Sequence, residues 1–396
     1  MKLRDKIRLA QSEEARNFYE AHAGDDPLKL MLKYAKSPEK KWLASQLGMR
    51  KKLKRKLPQW VNNPHIIFPD GVPKEQASSE QTAKLKASLL NGKTMLDITG
   101  GMGVDSYYMG QSFEQSFVYE QQEELAQITM HNLQILGANN LIKNEAFLPE
   151  KITSSIDLIY ADPARRDAVN AKLIGLSSYT PDMTKWLPQL LQKAKAVLIK
   201  TSPMLGISEA IKELKVVNEI WVISVRNECK EVLYHCTSDN HQTLRFRLFN
   251  LRKEGLDANE YIKQELDAKP TLANSVEKYI YEPNASLMKA GAGDALAVKM
   301  HLKKLHNNTN LYTSKELYTE YPGKVFEIEK LLKPYDKTLQ KQRFNVISRN
   351  YFHNASEIAN KLKLKPASTD YLLAFTFYKG KTNESQGFAK AHLLRI

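Results

Sequence analysis

A chain of 396 residues is long enough for roughly two or three domains, each able to bury a core of its own. Its hydrophobic fraction of 42% is that of an ordinary soluble protein; with no long apolar run and no lipidation signal, a membrane partner is not expected. The formal charge of +15 is not ordinary and points to a polyanion, nucleic acid first. Met1–Lys6 opens into a charged amphipathic pattern without a secretory h-region. Cys229 and Cys236 are too few to staple the chain, so the expected compartment is the cytoplasm.

Residues 1–75 are expected to form an N-terminal helical module. Ile7, Leu9, Ala10, Ala15 and Phe18 give one rough helical stripe, and Leu28, Met31, Leu32 and Ala35 another. The basic run from Arg50 to Lys56, bracketed by Trp42 and Trp60, suits a phosphate backbone. A turn-rich stretch from Asn62 to Pro73 follows. Ser78-Ser79-Glu80-Gln81 has the spacing of a capping box for a helix running to about Leu90, and Gln76–Glu80 is a candidate lid.

Met95–Asp105 reads as a short buried strand, an acid, and a glycine-rich turn into a helix. Glycines let a ligand lie against bare backbone. A dinucleotide would want a third glycine where Ser106 stands. Asp97 and Asp105 flank the turn with negative charge, which suits a cation such as S-adenosylmethionine better than a pyrophosphate. Further strands are expected near Ser116–Glu120, Leu141–Asn144, Leu158–Ala161, Ala196–Lys200, Glu219–Ser224 and Glu231–Cys236, alternating with helices. That alternation predicts a mainly parallel, Rossmann-like α/β sheet whose ligand lies beyond the carboxyl ends of the strands. Glu120 ends the second strand, where a carboxylate can take both ribose hydroxyls. Glu145, just past the third, is a candidate for the adenine amino group, and Asp162-Pro163-Ala164-Arg165 ends the fourth.

With three strand-end acids in this order, the chain resembles a class I S-adenosylmethionine-dependent methyltransferase. Asp97, Gly101 and Gly103 match motif I, with Thr99 in the same turn. Glu120 matches motif II, and Asp162, Pro163 and Arg165 lie in motif IV. More widely, the chain is similar to bacterial methyltransferases that carry a C-terminal THUMP-like domain and are thought to act on RNA. Gln76–Glu80, Lys200–Met204, Asn227–Glu231 and Tyr281–Ala285 carry that wider resemblance. It implies a methyltransferase domain at 76–250, S-adenosylmethionine as cofactor, and RNA (tRNA or rRNA) held by the basic N-terminal and C-terminal modules.

Past Cys236, Thr243–Phe249 alternates like a strand. Pro270–Ala285 is a connector with a short strand, and Ser286–Leu305 reads as a helix broken at Gly291 and Gly293. Residues 251–323 are therefore expected to form a small ferredoxin-like α+β insertion. The last segment, 324–396, is basic. It runs strand (Phe344–Ser348), helix (Ala355–Leu364), strand (Tyr371–Tyr378) and strand (Phe388–Leu394), which matches the THUMP-like domain.

If the acceptor is an exocyclic amine, Asp162 and the Pro163 carbonyl can accept its hydrogens and aim its lone pair. Many amino methyltransferases place an aromatic residue after that motif; here Arg165 takes the place, able to stack on a base or pair with a phosphate. The motif also resembles that of RNA 5-methyluridine methyltransferases, but Lys200-Thr201-Ser202-Pro203 supplies no thiol. Cys229, one strand later, reads as a structural thiol. An exocyclic amine or ring nitrogen of a base is thus expected over a ring carbon. The histidines are scattered, so no metal is expected. Two alternatives stand beside this reading: a non-catalytic RNA-binding protein with the same fold, and an NAD-dependent oxidoreductase. The sequence leaves the oligomeric state open.

Overall fold

The computed structural model describes residues 1–70, 78–165, 175–239, 243–380 and 383–395. The chain divides into two compact units. Residues 1–201, 205–218 and 233–240 form the first; residues 202–204, 219–232 and 241–396 form the second.

The first unit opens with five helices: α1 (Leu3–Ala10), α2 (Glu13–Ala21), α3 (Pro27–Lys33), α4 (Pro38–Leu53) and α5 (Pro58–Asn62). Their starts follow from local chemistry. Ser12, Asp26 and Ser37 each turn a side-chain oxygen onto a free N–H of the first turn, and Pro27 and Pro38 occupy positions that need no N–H. These helices are not a separate module. Leu43, Ala44 and Leu47 of α4 share a core with Ile67 and with Ile128 from the helix α8 (Glu123–Ile135). The Asn132 amide of α8 clamps the backbone of Ile67 from both sides, at 2.9 and 2.8 Å. Two expectations change here. In α3 the buried residue is Leu30, whereas Leu28 and Leu32 face solvent. Trp42 and Trp60 are core residues, closed to any base.

The sheet of this unit begins after α6 (Glu80–Ser88). Its cap is Ser79, one residue later than expected, with its hydroxyl accepting from the Thr82 N–H at 3.1 Å. Glu80 is drawn off to accept the Gln59 and Trp60 N–H groups at the start of α5. The following elements are β1 (Gly92–Asp97), α7 (Val104–Gly110), β2 (Phe113–Tyr119), α8, β3 (Asn140–Lys143), β4 (Ile156–Ala161), the short pair β5 (Ala164–Arg165) and β6 (Tyr179–Thr180), α9 (Met183–Leu191), β7 (Ala194–Thr201) and α10 (Ile207–Leu214). β1 pairs in parallel with β2 and β4, β2 with β3, and β4 with β7. Next in line beyond β7 is β9 (Glu228–Thr237), not β8 (Glu219–Val225), which neighbours β9. A dinucleotide-binding sheet keeps its last three strands in sequence order; this one does not. The two-residue link Arg226-Asn227 has φ of 50° and 62°, the backbone of a tight hairpin turn.

In the second unit β10 (Arg245–Leu251) runs parallel to β8 and antiparallel to β11 (Leu256–Ile262). The rest builds a seven-stranded sheet from β12 (Tyr279–Pro283), β13 (Lys303–Lys304), β14 (Tyr312–Ser314), β15 (Gly323–Leu332), β16 (Asn345–Arg349), β17 (Asp370–Lys379) and β18 (Asn383–Arg395), in the order β13-β14-β12-β15-β18-β17-β16. The helices α11 (Ala285–Ala290) and α12 (Gly293–Lys299) are separated at Gly291, whose φ of 70° ends α11; α13 (Ala355–Leu362) joins β16 to β17. Segments 251–323 and 324–396 are thus not two separate sheets, because β15 lies between β12 and β18. The start of β15 is pressed onto β12: a Cβ on Gly323 would stand 2.2 Å from the Glu282 carbonyl.

Candidate active site

The glycine turn sits at the carboxyl end of β1 and is fixed on every side by backbone. The Gly100 N–H donates to the Tyr119 carbonyl at 2.9 Å, and the Gly103 N–H to the Gly100 carbonyl at 2.9 Å. Thr129 of α8 donates to the Gly101 carbonyl at 2.7 Å. Gly101 and Gly103 have φ of 54° and 77°, conformations that glycine adopts without strain. They differ in surroundings. A Cβ on Gly103 would strike Thr129 at 2.7 Å, whereas one on Gly101 would find nothing nearer than 3.8 Å. The turn therefore closes inward at Gly103 and leaves bare backbone facing open space at Gly101.

Glu120, just past β2, reaches this open side. Its two carboxylate oxygens accept the N–H groups of Gly101 at 3.0 Å and Gln122 at 2.8 Å. Each oxygen keeps a lone pair for a further donor. Asp97 behaves differently. It is 1% exposed, and its oxygens accept from the Thr99 N–H at 2.8 Å, from the Thr99 hydroxyl at 3.2 Å and from the Ser106 hydroxyl. Burial pushes its carboxyl up to about 7, against those hydrogen bonds. Asp97 thus shapes the turn from behind, while Glu120 holds the Gly101 N–H from the other side. Thr99 ties the motifs together, since its hydroxyl also accepts the Asp162 N–H at 2.7 Å. Glu145 is exposed and ion-paired with Lys151.

At the end of β4, Asp162 keeps about a third of its side chain open (33%), and its Oδ2 meets Lys200 Nζ at 2.5 Å. Burial raises its carboxyl above the ordinary value, against the pull of Lys200. Pro163 is buried and Arg165 exposed, with Ala164 and Arg165 held by an antiparallel bridge to Thr180 and Tyr179. Arg166 and Gln76–Ala77 lie outside the described residues.

Behind Asp162 stands a group whose mutual contacts, and whose member Lys86, sequence reading missed. Lys200 also lies 3.3 Å from Asp105 Oδ2, and the fully buried Lys86 of α6 lies 2.8 Å from Asp105 Oδ1. Ser78 and Tyr160 both donate to Asp105 Oδ2 at 2.6 Å, and Lys200 donates to the Ser78 hydroxyl at 2.8 Å. Burial alone would raise the Asp105 carboxyl, but the two lysines outweigh it and hold it well below the usual carboxylate range. This corrects one expectation: Asp105 does not offer negative charge to the turn, because Lys86 and Lys200 neutralise it. Asp105, read as a flanking charge, and Lys200, in a stretch that carries the family resemblance, were the sequence signals; Lys86 gave none.

Cys229 is half-buried, its thiol pushed up to about 11 by burial, and Cys236 is raised further. Neither is an activated nucleophile. Among the described residues, no group of three or more His, Cys, Asp or Glu side chains is placed to hold a metal, and no helix is long and apolar enough to cross a membrane.

Comparison with known proteins agrees on the fold. A family profile for a ferredoxin-like domain matches residues 279–322, inside the segment where one was expected. The chain is similar to the crystal structure of a candidate methyltransferase from Porphyromonas gingivalis W83, with a TM-score of 0.82, 24% identity, and coverage of 96% of this chain and 98% of that one. That likeness makes the first unit a methyltransferase-type α/β fold. Weaker likenesses include a candidate RNA methyltransferase from Pyrococcus horikoshii (TM-score 0.31, 14% identity, 43% of this chain and 93% of that one). Another is a candidate class I S-adenosylmethionine-dependent methyltransferase from Listeria monocytogenes (TM-score 0.36, 12% identity, 63% and 92%). Among curated proteins none matches this chain.

Proposed function

We propose that this chain is an S-adenosylmethionine-dependent methyltransferase acting on RNA. One observation carries the reading. An open glycine turn with a carboxylate beside it and a partly open Asp162 share the carboxyl rim of one parallel sheet, joined through Thr99. Gly101 and Glu120 would hold the cofactor, which when bound supplies an electrophilic methyl group on a sulfonium. Glu120 would accept the ribose hydroxyls, and the backbone at Gly101 would lie against the ligand. Asp162 stands where the acceptor would enter.

A nucleic-acid substrate is favoured by the charge of +15 and by the exposed Lys52, Lys54 and Arg55 of the basic run, and RNA among nucleic acids by the family resemblance. The resemblance of the C-terminal segment to THUMP-like domains points the same way. Motif IV, taken by its residue types alone, suggests a base nitrogen as acceptor; the contact with Lys200 bears on that choice of atom.

Calorimetry of the purified chain with S-adenosylmethionine and with NAD tests the cofactor. Saturable binding of S-adenosylmethionine that Glu120→Ala weakens at least about tenfold agrees with the proposal, at about 1.4 kcal/mol per tenfold. Tight binding of NAD alone contradicts it.

A further inference from the structure

Lys86, Asp105, Lys200 and Asp162 form one unbroken series of ion contacts of 2.8, 3.3 and 2.5 Å. They come from α6, the start of α7, the end of β7 and the loop after β4, so four separate elements deliver them to one place. Lys86 and Lys200 are both buried, yet the series ends on a carboxylate that keeps about a third of its side chain open (33%). The four charges cancel in sum, but the fold delivers the ammonium group of Lys200 from its interior to the carboxylate beside which an acceptor would sit.

We infer that the methyl acceptor is a hydroxyl, and in RNA the ribose 2′-hydroxyl, the one hydroxyl a nucleotide inside the strand keeps; this rests on the methyltransferase reading above. The reason is the sign of the charge that develops. An amine attacking a methyl group becomes positive before it sheds its proton, and an ammonium group alongside opposes that. A hydroxyl becomes negative as its proton leaves, and a pre-placed ammonium group stabilises it. Lys200 lies between two carboxylates, Asp105 and Asp162. In the step itself, a lone pair of the hydroxyl oxygen forms the new O–C bond. The S–C bonding pair stays on sulfur, and the hydroxyl proton passes to the free oxygen of Asp162 and on to solvent. Asp162 is the catalytic base. Lys200 stabilises the developing charge, and Lys86 is a positioning residue that acts through Asp105.

A second observation fits. A sugar acceptor needs no ring to stack its base. Among the described residues directly following Asp162, Ala164 and Arg165 are exposed, Arg165 being suited to a neighbouring phosphate, while Tyr179 across the β5–β6 pair is buried.

Total RNA from cells with and without the gene is digested to nucleosides and analysed by tandem mass spectrometry. The inference expects a gene-dependent nucleoside whose added methyl stays with the sugar fragment. A methyl on the base fragment overturns it while leaving the methyltransferase reading intact. If no gene-dependent methyl is found and the purified chain binds no S-adenosylmethionine, both fall. On RNA from cells lacking the gene, Lys200→Met should lower kcat at least about 100-fold. It should leave S-adenosylmethionine affinity within about threefold, since Lys200 is not placed among the cofactor residues. Removing the cation should also move the acid limb of the kcat profile to higher pH, because Asp162 then protonates more readily. Lys200→Arg should recover part of the rate. An unchanged rate or an unmoved acid limb in Lys200→Met contradicts the role given to Lys200. Should that variant not fold, the sugar-or-base assignment on the wild-type chain still decides.

Discussion

Arg50 and the pair Lys86–Lys200 are both cations taken out of water, and their partners set them apart. Arg50 donates to the carbonyls of Val61, Asn63, Pro64 and Ile66 at 2.7, 3.0, 2.8 and 2.7 Å, with its guanidinium over the Tyr19 ring. Those partners are neutral backbone carbonyls at the end of α5 and in the irregular segment that follows it. Burial lowers the Arg50 pKa, and the Tyr19 phenol beside it is raised above its ordinary value by burial. The two lysines instead face carboxylates, and one of those opens to solvent beside the glycine turn. A buried cation among carbonyls fixes the backbone; a buried cation among carboxylates at a strand rim reaches the partly open Asp162.

The comparison can be broken most sharply at its two ends. Asp162→Asn should reduce kcat by about 10²–10⁴-fold with S-adenosylmethionine affinity retained, the scale of a lost general base. Near-normal turnover of this variant would return Asp162 to a structural part. Arg50→Met should do the reverse. It strands four carbonyls and should cost about 3–5 kcal/mol in urea unfolding, with the rate per folded molecule unchanged. A loss of rate without a loss of stability would move Arg50 into the reaction.

Asp97 sharpens the contrast through pH. Its carboxyl titrates near 7 when folded, and an unfolded aspartate near 4. The folded state therefore holds a proton that the unfolded state has released, so this group makes stability fall as pH rises between about 4 and 7. Asp97→Asn should flatten that fall, by at most about 2.6 kcal/mol, in urea titrations at pH 5 and pH 8. Equal pH slopes in the two proteins would show Asp97 ionised throughout. The smallest effect belongs to the exposed part of the basic run. Lys52→Ala, Lys54→Ala and Arg55→Ala together should leave stability within about 0.5 kcal/mol per site. They should lower the salt dependence of RNA affinity by roughly 0.7 per lost phosphate contact. An unchanged salt slope in fluorescence anisotropy would take this run out of the RNA surface.

The glycine turn, the strand-end acids and the alternation of strands and helices were legible because each is a local pattern. The partners of charged residues were not. Lys86 lies in a stretch of alternating lysines that reads as a solvated helix face, and it is buried because Asp105, on another element, meets it. Lys200 and Asp105 are 95 residues apart, so neither announces the other. Arg50 opens a run of seven residues that looked uniformly available, yet it alone of the run is a buried cation satisfied by distant carbonyls. The join of the two C-terminal segments was hidden for the same reason: β15 pairs with β18 about sixty residues later, a link no local spacing encodes.

The central claim is that Asp162, backed by Lys200, receives the acceptor's proton in methyl transfer to RNA. Its most direct test is the incorporation of labelled methyl from S-adenosylmethionine into RNA taken from cells lacking the gene, comparing the purified wild-type chain with Asp162→Asn. The account predicts label in RNA with the wild type and close to none with Asp162→Asn. Equal incorporation by both proteins, or none by a wild-type chain that binds the cofactor, would contradict it.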